Sequence, residues 1–377
     1  MLKKKNELEY YSLDRINEIQ AQYYIIFGER SNGKTTAVLA EGLRKHIFSG
    51  YTEQLAIIRR WELDFKGKNG EAMFSAPVFA QWIEKWSQGK YNGVRYYSQR
   101  WYLCHFNDEG ERDYQSDSPF AFGFALSQEE HYKSTSYPNI TTVLFDEFIT
   151  RNTYLPNEFI TFQNILSTII RDRDNVKIYM CGNTVNKFCP YWNEMGLTNV
   201  RNQKMGTIDI YTYGESEMTV ALEYCGTSEK NARKNLKKGS NKYFAFDNPK
   251  LKMITNGTWE IDIYPHLPHK YTPKECIYKF FIIFDSEVLQ GNIITLDESG
   301  ETFIYYHRKT TPIQENDTEL IYQQEIDYRK NYRINMLKPY GRIDTKILKL
   351  YMMNKFFYQD NEVGDIIYNY LNWCKQN

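Results

Sequence analysis

A glycine-rich octapeptide near the amino terminus constrains the fold of this chain more than any other feature. Residues 28–35, GERSNGKT, match the pattern G-x-x-x-x-G-K-[ST] at every required position. The octapeptide follows a short apolar run, residues 22–27, and precedes a stretch with helical character, residues 34–46. A strand, a glycine turn and a helix in this order form a loop whose backbone amides bind phosphate. The sequence therefore predicts a phosphate-binding loop.

The residue types of this loop predict contacts with ATP and magnesium. Lys34 supplies a positive charge to the β- and γ-phosphates, and the hydroxyl of Thr35 is the predicted magnesium ligand, ahead of Thr36. Arg30 is a further candidate for approaching the γ-phosphate. The predicted ATP-binding residues of the loop are Gly28, Glu29, Arg30, Ser31, Asn32, Gly33, Lys34, Thr35 and Thr36.

Two adjacent acids follow a second apolar run, residues 141–145 (TTVLF). A nucleoside triphosphatase of this type needs a carboxylate at the end of a buried strand to hold the metal, and Asp146 suits that role. Glu147, directly after it, is the predicted base that activates water. The two acids together with the loop indicate ATP hydrolysis rather than nucleotide binding alone.

Several polar residues farther along have two interpretations each. Asn183 follows the apolar run 176–180 and is either a sensor of the γ-phosphate or an ordinary turn residue. Arginines near helix and strand ends are either solvated charges or fingers that stabilise a neighbouring subunit's transition state. The sequence alone leaves this open for the trans-acting candidates Arg171, Arg173, Arg59 and Arg60. Arg59 and Arg60, at the end of the second predicted strand, face either nucleotide or a neighbour in a ring.

The order of predicted elements indicates an α/β fold with more than one domain. Alternating strands and helices in the first half predict a parallel sheet covered by helices. The sequence pattern changes near residue 214, where a stretch with helical character begins. This stretch ends in a run of cationic residues near residue 240. We therefore predict a P-loop domain over 1–212, a helical basic linker over 213–250, and a smaller α+β domain over 251–377.

Charge balance restricts the kind of nucleic-acid contact. The 47 Lys and Arg residues equal the 47 Asp and Glu residues, which excludes a uniformly basic surface but not local patches. There is no secretory signal and no apolar stretch of the roughly 20 residues that span a bilayer, so we expect a soluble intracellular protein. The DNA-binding candidates are Lys90, Arg95, Arg100, Lys230, Arg233, Lys234, Lys237 and Lys238. The first three form a predicted basic patch interleaved with the rings of Tyr91, Tyr96, Tyr97 and Trp101.

Over roughly residues 10–200 the chain resembles the DNA-packaging ATPases of φ29-like phages. The most specific stretch is YPNITT, residues 137–142, running into FDEF, residues 145–148, with RDR at 171–173 farther on. The resemblance implies an ASCE-type P-loop ATPase domain and a C-terminal RNase H-like domain that has lost its nuclease acids. It implies a homopentameric ring on the procapsid portal that translocates double-stranded DNA in the host cytoplasm, with a structural packaging RNA as a candidate partner.

The resemblance also suggests roles for single residues. Arg171 matches the family's trans-acting finger, whereas a second trans-acting basic residue falls near Glu62, an acid, so that its role would pass to Arg59 or Arg60. Asp285 stands where a nuclease would carry its first metal-binding acid. Two alternatives remain: a large terminase with an active nuclease, and a non-motor nucleotide-binding module. The free chain could be a monomer.

Overall fold

The chain divides into two compact units, residues 1–259 and 260–377. The computed structural model describes residues 11–30, 32–151, 154–214, 217–226, 259, 262–267, 270–297, 299–314 and 318–377. Within these ranges, none of the helices has the length and apolar character needed to cross a membrane.

The first unit is built on a large mixed sheet, to which the described residues contribute ten strands. In chain order these are β1 Tyr23–Gly28, β2 Gln54–Arg59, β3 Gly93–Tyr97, β4 Arg100–Phe106, β5 Arg112–Gln115, β6 Ala121–Ala125, β7 Ile140–Asp146, β8 Lys177–Asn183, β9 Ile208–Tyr213 and β10 Met218–Cys225. Their spatial order is β3-β4-β6-β2-β7-β8-β1-β10-β9, and β5 pairs with β4. The six neighbouring strands β6, β2, β7, β8, β1 and β10 pair in parallel. The outer pairs are antiparallel: β4 with β6, β3 with β4, and β9 with β10.

The central strands are apolar along their whole length because both faces of the sheet are covered. All six residues of β1 are buried. Tyr23, Ile25 and Phe27 enter the core on one face, whereas Tyr24 and Ile26 enter the core on the other. This alternation follows from the two-residue period of a strand, and a continuous apolar run is typical of parallel sheets buried on both sides.

Helices cover this sheet and connect its strands. The α-helices of the first unit's described residues are α1 Asp14–Asn17, α2 Lys34–Phe48, α3 Lys68–Ala72, α4 Pro77–Trp86, α5 Glu158–Ile170 and α6 Pro190–Glu194. Short 3₁₀ helices span Glu62–Phe65 and Leu126–Tyr132. Strand β8 lies between β1, which leads into the glycine-rich loop, and β7, which ends at the acids. The predicted α/β P-loop fold is confirmed.

The predicted domain boundaries need correction. The helical linker expected over 213–250 is wrong in its first part, because β10 is a buried strand that pairs in parallel with β1 inside the large sheet. The first unit extends to Trp259, whose ring lies 5.5 Å from that of Phe27 and 6.3 Å from that of Tyr224. The remainder of the expected linker, from 227 to 250, lies outside the described residues.

The second unit contains a smaller sheet packed against helices. Its described strands are β11 Cys276–Phe284, β12 Glu287–Thr295, β13 Thr302–Arg308, β14 Ile321–Gln323, β15 Tyr332–Arg333 and β16 Phe356–Tyr358, and its α-helices are α7 Arg342–Met352 and α8 Asn361–Gln376. The order is β15-β14-β11-β12-β13-β16. Strands β11 to β13 form an antiparallel meander, and β14 joins β11 in parallel. This is the α+β arrangement expected for the C-terminal domain.

Asp285 lies in the two-residue turn between β11 and β12. Both turn residues, Asp285 and Ser286, have positive φ angles, +53° and +64°, and the pair Phe284 and Glu287 closes the hairpin. The backbone N–H of Asp285 donates to the side-chain oxygen of Gln324, which lies just beyond β14. The amide side chain of Gln324 thus binds the backbone of this turn. Among the described residues, no group of three or more His, Cys, Asp or Glu side chains could hold a metal ion.

Candidate active site

The glycine-rich loop lies where β1 ends and α2 begins. Gly28 has a φ of +150°, and a Cβ atom at this position would lie 2.1 Å from the carbonyl oxygen of Cys225 on β10. Glycine is therefore required for β1 and β10 to lie side by side here. Gly33 adopts the left-handed conformation, with a φ of +92°, directly before the first turn of α2. The first amides of a helix have no partner within the helix, which makes this position suited to an anion, and the amide of Lys34 donates to Oδ1 of Asn32 at 3.2 Å.

Lys34 is buried and its ammonium group lies over the loop. The Nζ atom donates to the carbonyl oxygen of Glu29 at 2.5 Å, to Oδ1 of Asn32 at 3.2 Å and to Oδ1 of Asn183 at 3.3 Å. Asn183 reaches this position because β8 runs beside β1, with Asn183 opposite Gly28. The structure therefore brings together the loop lysine and the polar residue that the sequence predicted beside it. Ser31 of the loop lies outside the described residues.

The acids lie at the same edge of the sheet. Asp146 ends β7 and is buried, and its Oδ1 accepts a hydrogen bond of 2.7 Å from the hydroxyl of Thr35. A hydroxyl and a carboxylate this close form the type of oxygen donor set that magnesium takes. Glu147 follows with a φ of +58°, and its side chain is 62% exposed. The predicted magnesium ligands, Thr35 and Asp146, are adjacent as expected.

Arg59 bridges the two acids from the end of β2. Its Nη2 lies 2.5 Å from Oδ2 of Asp146, and its Nη1 lies 2.9 Å from Oε2 of Glu147. Burial lowers the pKa of Arg59, but the charges of Asp146 and Glu147 outweigh burial and raise the pKa overall. The guanidinium is therefore charged at every accessible pH. In the structure the guanidinium binds its own chain's acids, a pairing that sequence reasoning did not specify, and a trans-acting role for Arg59 stays a prediction.

Arg60 is buried within its own chain, which argues against a trans-acting role. Its side chain is only 8% exposed, and it forms an ion pair with Glu158 at the start of α5. Its guanidinium also donates to the carbonyl oxygens of Glu147 and Phe148, at 3.3 and 2.9 Å. All of these partners belong to the same chain, and little of the Arg60 side chain is accessible to a neighbouring subunit.

The remaining candidates, Arg171 and Arg173, follow α5 at the opposite edge of the sheet. The guanidinium of Arg173 donates to main-chain carbonyls of both the helix end and the segment before β7, including those of Ile169 and Ile140 at 2.6 Å each. Arg173 therefore joins two segments of its own chain. Arg171 is exposed, has a φ of +51°, and donates to the carbonyl oxygen of Thr135 at 3.2 Å.

The position of Arg171 relative to its own site follows from strand direction. Strand β8 begins at Lys177, shortly after Arg171, and ends at Asn183 beside Lys34. Seven residues of a parallel strand span about 20 Å. Arg171 therefore lies at the amino-terminal edge of the parallel strands, whereas the glycine-rich loop lies at the carboxyl-terminal edge. The Arg171 side chain is too short to reach its own loop.

The predicted basic and aromatic patch on β3 and β4 is only partly present. Lys90 and Arg100 are exposed, and Arg95 donates to Gln115 at 2.7 Å. However, the interleaved rings of Tyr91 and Trp101 are buried in the core and are inaccessible to bases. The other cationic candidates, Lys230, Arg233, Lys234, Lys237 and Lys238, lie outside the described residues.

A contact that the sequence did not indicate joins the amino-terminal segment to the loop. The backbone N–H of Tyr11 donates to the carbonyl oxygen of Asn32 at 3.0 Å. The hydroxyl of Tyr11 donates to Glu223 of β10, and Arg15 lies 3.6 Å from the same carboxylate. Tyr11 thus links the loop to a buried acid two strand positions before Cys225.

We expect the Glu223→Gln variant to gain stability relative to wild type as pH rises. Burial raises the pKa of Glu223, more than Tyr11 and Arg15 lower it. At acidic pH the carboxyl is protonated in both folded and unfolded chains, so burial carries no charge penalty. Above its ordinary pKa of about 4.3, only the unfolded chain ionises freely, which lowers wild-type stability. Urea unfolding of both proteins between pH 4 and pH 8 measures this, and a constant stability difference would contradict it.

Comparison with known proteins supports the resemblance seen in the motifs. The family described as Podovirus DNA encapsidation protein (Gp16) matches residues 93–254. The DNA packaging protein of Bacillus phage phi29 is 31% identical over 104 residues, which are 27% of this chain and 31% of that protein. The matched segment is thus about a third of the relative's length. The resemblance to φ29-like packaging proteins is confirmed.

The similarity to solved structures extends over nearly the whole chain. The Phi-28 gp11 DNA packaging motor has a TM-score of 0.52 at 16% identity and covers 98% of each chain. The bacteriophage Phi-29 genome packaging motor assembly has a TM-score of 0.51 at 18% identity and covers 96% of this chain and 98% of that one. At these sequence identities the similarity shows the fold alone, and it includes residues of both units.

Proposed function

We propose that this chain is the ATP-hydrolysing subunit of a ring motor that drives double-stranded viral DNA into a procapsid. The observation that carries the proposal is the contact of 2.7 Å between the Thr35 hydroxyl and Asp146, beside Lys34 and next to Glu147. A phosphate-binding loop and two acids meeting at one sheet edge are the parts that phosphoryl transfer needs. The similarity to the DNA packaging protein of Bacillus phage phi29 supports the proposal that the motor translocates DNA.

Each side chain at this edge has a proposed task in hydrolysis. The amides of the loop and the Lys34 ammonium bind the β- and γ-phosphates of ATP. Thr35 and Asp146 hold magnesium, which when bound neutralises charge on the phosphate oxygens. Glu147 accepts a proton from the attacking water, and Asn183 contacts the γ-phosphate. Arg30, at the loop, is a further candidate for that phosphate.

Arg171 supports a shared active site between subunits. It lies about 20 Å from its own loop along β8, so it can stabilise transferred phosphate only in a neighbouring subunit. We therefore propose a closed ring, a homopentamer docked on the portal of the procapsid, within the host cytoplasm. A structural packaging RNA is a proposed additional partner, and the chain alone is proposed to be monomeric.

The proposed contact with DNA is independent of sequence. A packaging motor must accept every base sequence, so its basic side chains should bind phosphates, and binding should weaken as salt rises. The exposed candidates in the described residues are Lys90 and Arg100, with Arg95 beside them. The cationic residues between 230 and 238 are candidates from sequence. The second unit is proposed to grip nucleic acid without cleaving it, as the resemblance to the packaging ATPases of φ29-like phages implies.

Steady-state ATP hydrolysis with and without double-stranded DNA tests the proposal. We expect turnover that DNA stimulates in the wild type, and neither ATP binding nor turnover in Lys34→Ala, which loses the charge at the loop. The assay should be repeated with portal and procapsid, because the ring forms there. ATP binding without turnover under those conditions would contradict the motor and favour a nucleotide-binding module. Nicking of plasmid DNA in manganese, lost in Asp285→Ala, would instead favour a terminase with an active nuclease.

A further inference from the structure

A buried ion pair lies directly behind the two acids of the site. Arg60 and Glu158 have side chains that are 8% and 2% exposed. The guanidinium binds the carboxylate with both arms, Nε to Oε2 at 2.7 Å and Nη2 to Oε1 at 2.8 Å. Removing two charges from water is costly, and such a pair persists only where its geometry is good and its other hydrogen-bonding capacity is used.

The carboxylate of Glu158 is fully used by its neighbours. Besides the two bonds from Arg60, its Oε2 accepts from the backbone N–H of Leu155 at 2.7 Å, and its Oε1 accepts from the Tyr191 hydroxyl at 3.0 Å. Burial lowers the pKa of Arg60, but the hydrogen bond and charge of Glu158 outweigh burial and raise it. Glu158 thus holds the Arg60 guanidinium in one charged, fixed orientation.

The other side of the same guanidinium faces the backbone that follows β7. Nη2 donates to the carbonyl oxygen of Phe148 at 2.9 Å, and Nη1 donates to that of Glu147 at 3.3 Å. Glu147 has a φ of +58°, a conformation that costs a non-glycine residue about 1–2 kcal/mol. Such a conformation persists where the surroundings fix it. Arg60 is the buried cation that holds the two carbonyls at this bend.

From these contacts we infer that Arg60, anchored by Glu158, is a positioning residue that fixes the backbone of Glu147 for water activation. The inference rests on the proposed function, in which Glu147 is the base. It assigns different tasks to two consecutive arginines, because Arg59 binds the Glu147 side chain at 2.9 Å and Arg60 binds the Glu147 carbonyl. From the sequence alone, Arg59 and Arg60 have the same candidate roles.

The contacts of Arg60 predict which kinetic constant changes. Among the described residues, Arg60 forms no hydrogen bond with the glycine-rich loop or with Asp146, so nucleotide binding should not depend on it. The position of the base should depend on it, and a shift of about 1 Å at a reacting group can lower the rate about 100-fold. We therefore expect a loss in kcat with little change in KM.

Arg60→Lys tests this inference, because lysine keeps the charge but lacks the planar fork that spans Glu158 and two carbonyls. We expect kcat to fall about 100-fold, while binding of a fluorescent ADP analogue stays within about threefold of wild type. Tyr191→Phe is the matched control. It removes one of the four hydrogen bonds to Glu158 and leaves both bonds from Arg60, so its kcat should fall much less than that of Arg60→Lys. Arg44→Lys, the same substitution at an arginine exposed on α2, should leave kcat at the wild-type value. If Arg60→Lys does not fold, Glu158→Gln tests the same anchor and should also lower kcat selectively.

The Glu147→Gln background separates positioning from a general structural role. If Arg60 acts through Glu147, Arg60→Lys should cause no further loss of the residual turnover once Glu147 is changed. An equal loss in both backgrounds, or a wild-type kcat in folded Arg60→Lys, would overturn the inference. Failure of the proposed function looks different, because the wild type itself would then hydrolyse no ATP, or Glu147→Gln would remain fully active.

Discussion

Replacing Arg171 with alanine should lower ATP turnover by the assembled ring by about 10³–10⁵-fold. Arg171 is exposed at the sheet edge opposite its own loop, so its charge is available to a neighbouring subunit. Loss of a guanidinium that stabilises transferred phosphate removes most of the transition-state stabilisation of a nucleoside triphosphatase. Steady-state hydrolysis on portal-bound rings, with DNA present, measures the effect, and binding of a fluorescent ADP analogue should be retained.

Arg44→Ala is the matched control for Arg171→Ala. Arg44 pairs with Glu41 on the surface of α2, and an exposed pair of this kind contributes little, so turnover should stay normal. Mixing subunits then tests the shared site directly. Rings formed from Arg171→Ala and Glu147→Gln subunits contain some interfaces in which both residues are intact, and these should recover turnover that neither variant shows alone. Full activity of Arg171→Ala rings would refute the finger assignment.

Glu147→Gln should lower turnover by about 10²–10⁴-fold while nucleotide binding persists. The amide is similar in size to the carboxylate but cannot accept a proton from water. It can still accept a hydrogen bond from Arg59, which lies 2.9 Å from Glu147, so the fold of the site should be kept. The measurement is kcat for ATP, with nucleotide affinity determined separately by fluorescence.

Glu130→Gln is the control for Glu147→Gln, because Glu130 is an exposed acid paired with Lys133 away from the loop. Its turnover should equal that of wild type. A Glu147→Gln protein that hydrolyses ATP at the wild-type rate would remove Glu147 as the base. Loss of nucleotide binding in Glu147→Gln would show that the residue supports the bound nucleotide rather than the attacking water.

The parts of the site that sequence reasoning predicted share a local origin. The loop, Asp146 and Asn183 each follow a short apolar run, and residues at the ends of parallel strands meet at one edge of the sheet. The pattern of strand and turn was therefore sufficient to predict that Lys34, Thr35, Asp146 and Asn183 lie close together. In the structure, Lys34 contacts Asn183 and Thr35 contacts Asp146.

The arginines could not be assigned in the same way because their environment is set by distant residues. Arg59 and Arg60 are adjacent in sequence, yet one binds the carboxylates of β7 and the other is buried against Glu158, which is 98 positions away. The two arginines differ in the solvent exposure of their side chains, and no pattern in the neighbouring sequence predicts that difference. Strand β10 was missed for a related reason: its sequence, MTVALEYC, contains good helix formers, and pairing with β1 overrides that preference.

The return of the chain to the first unit at Trp259 gives β1 contacts with two parts of the chain that are far apart in sequence. Cys225 pairs with Gly28 at the end of β1, and the Trp259 ring lies against Phe27 of the same strand. The two points of attachment are therefore adjacent residues of the strand that leads into the glycine-rich loop. A mechanical load that reached either Cys225 or Trp259 would be transmitted to β1 beside that loop.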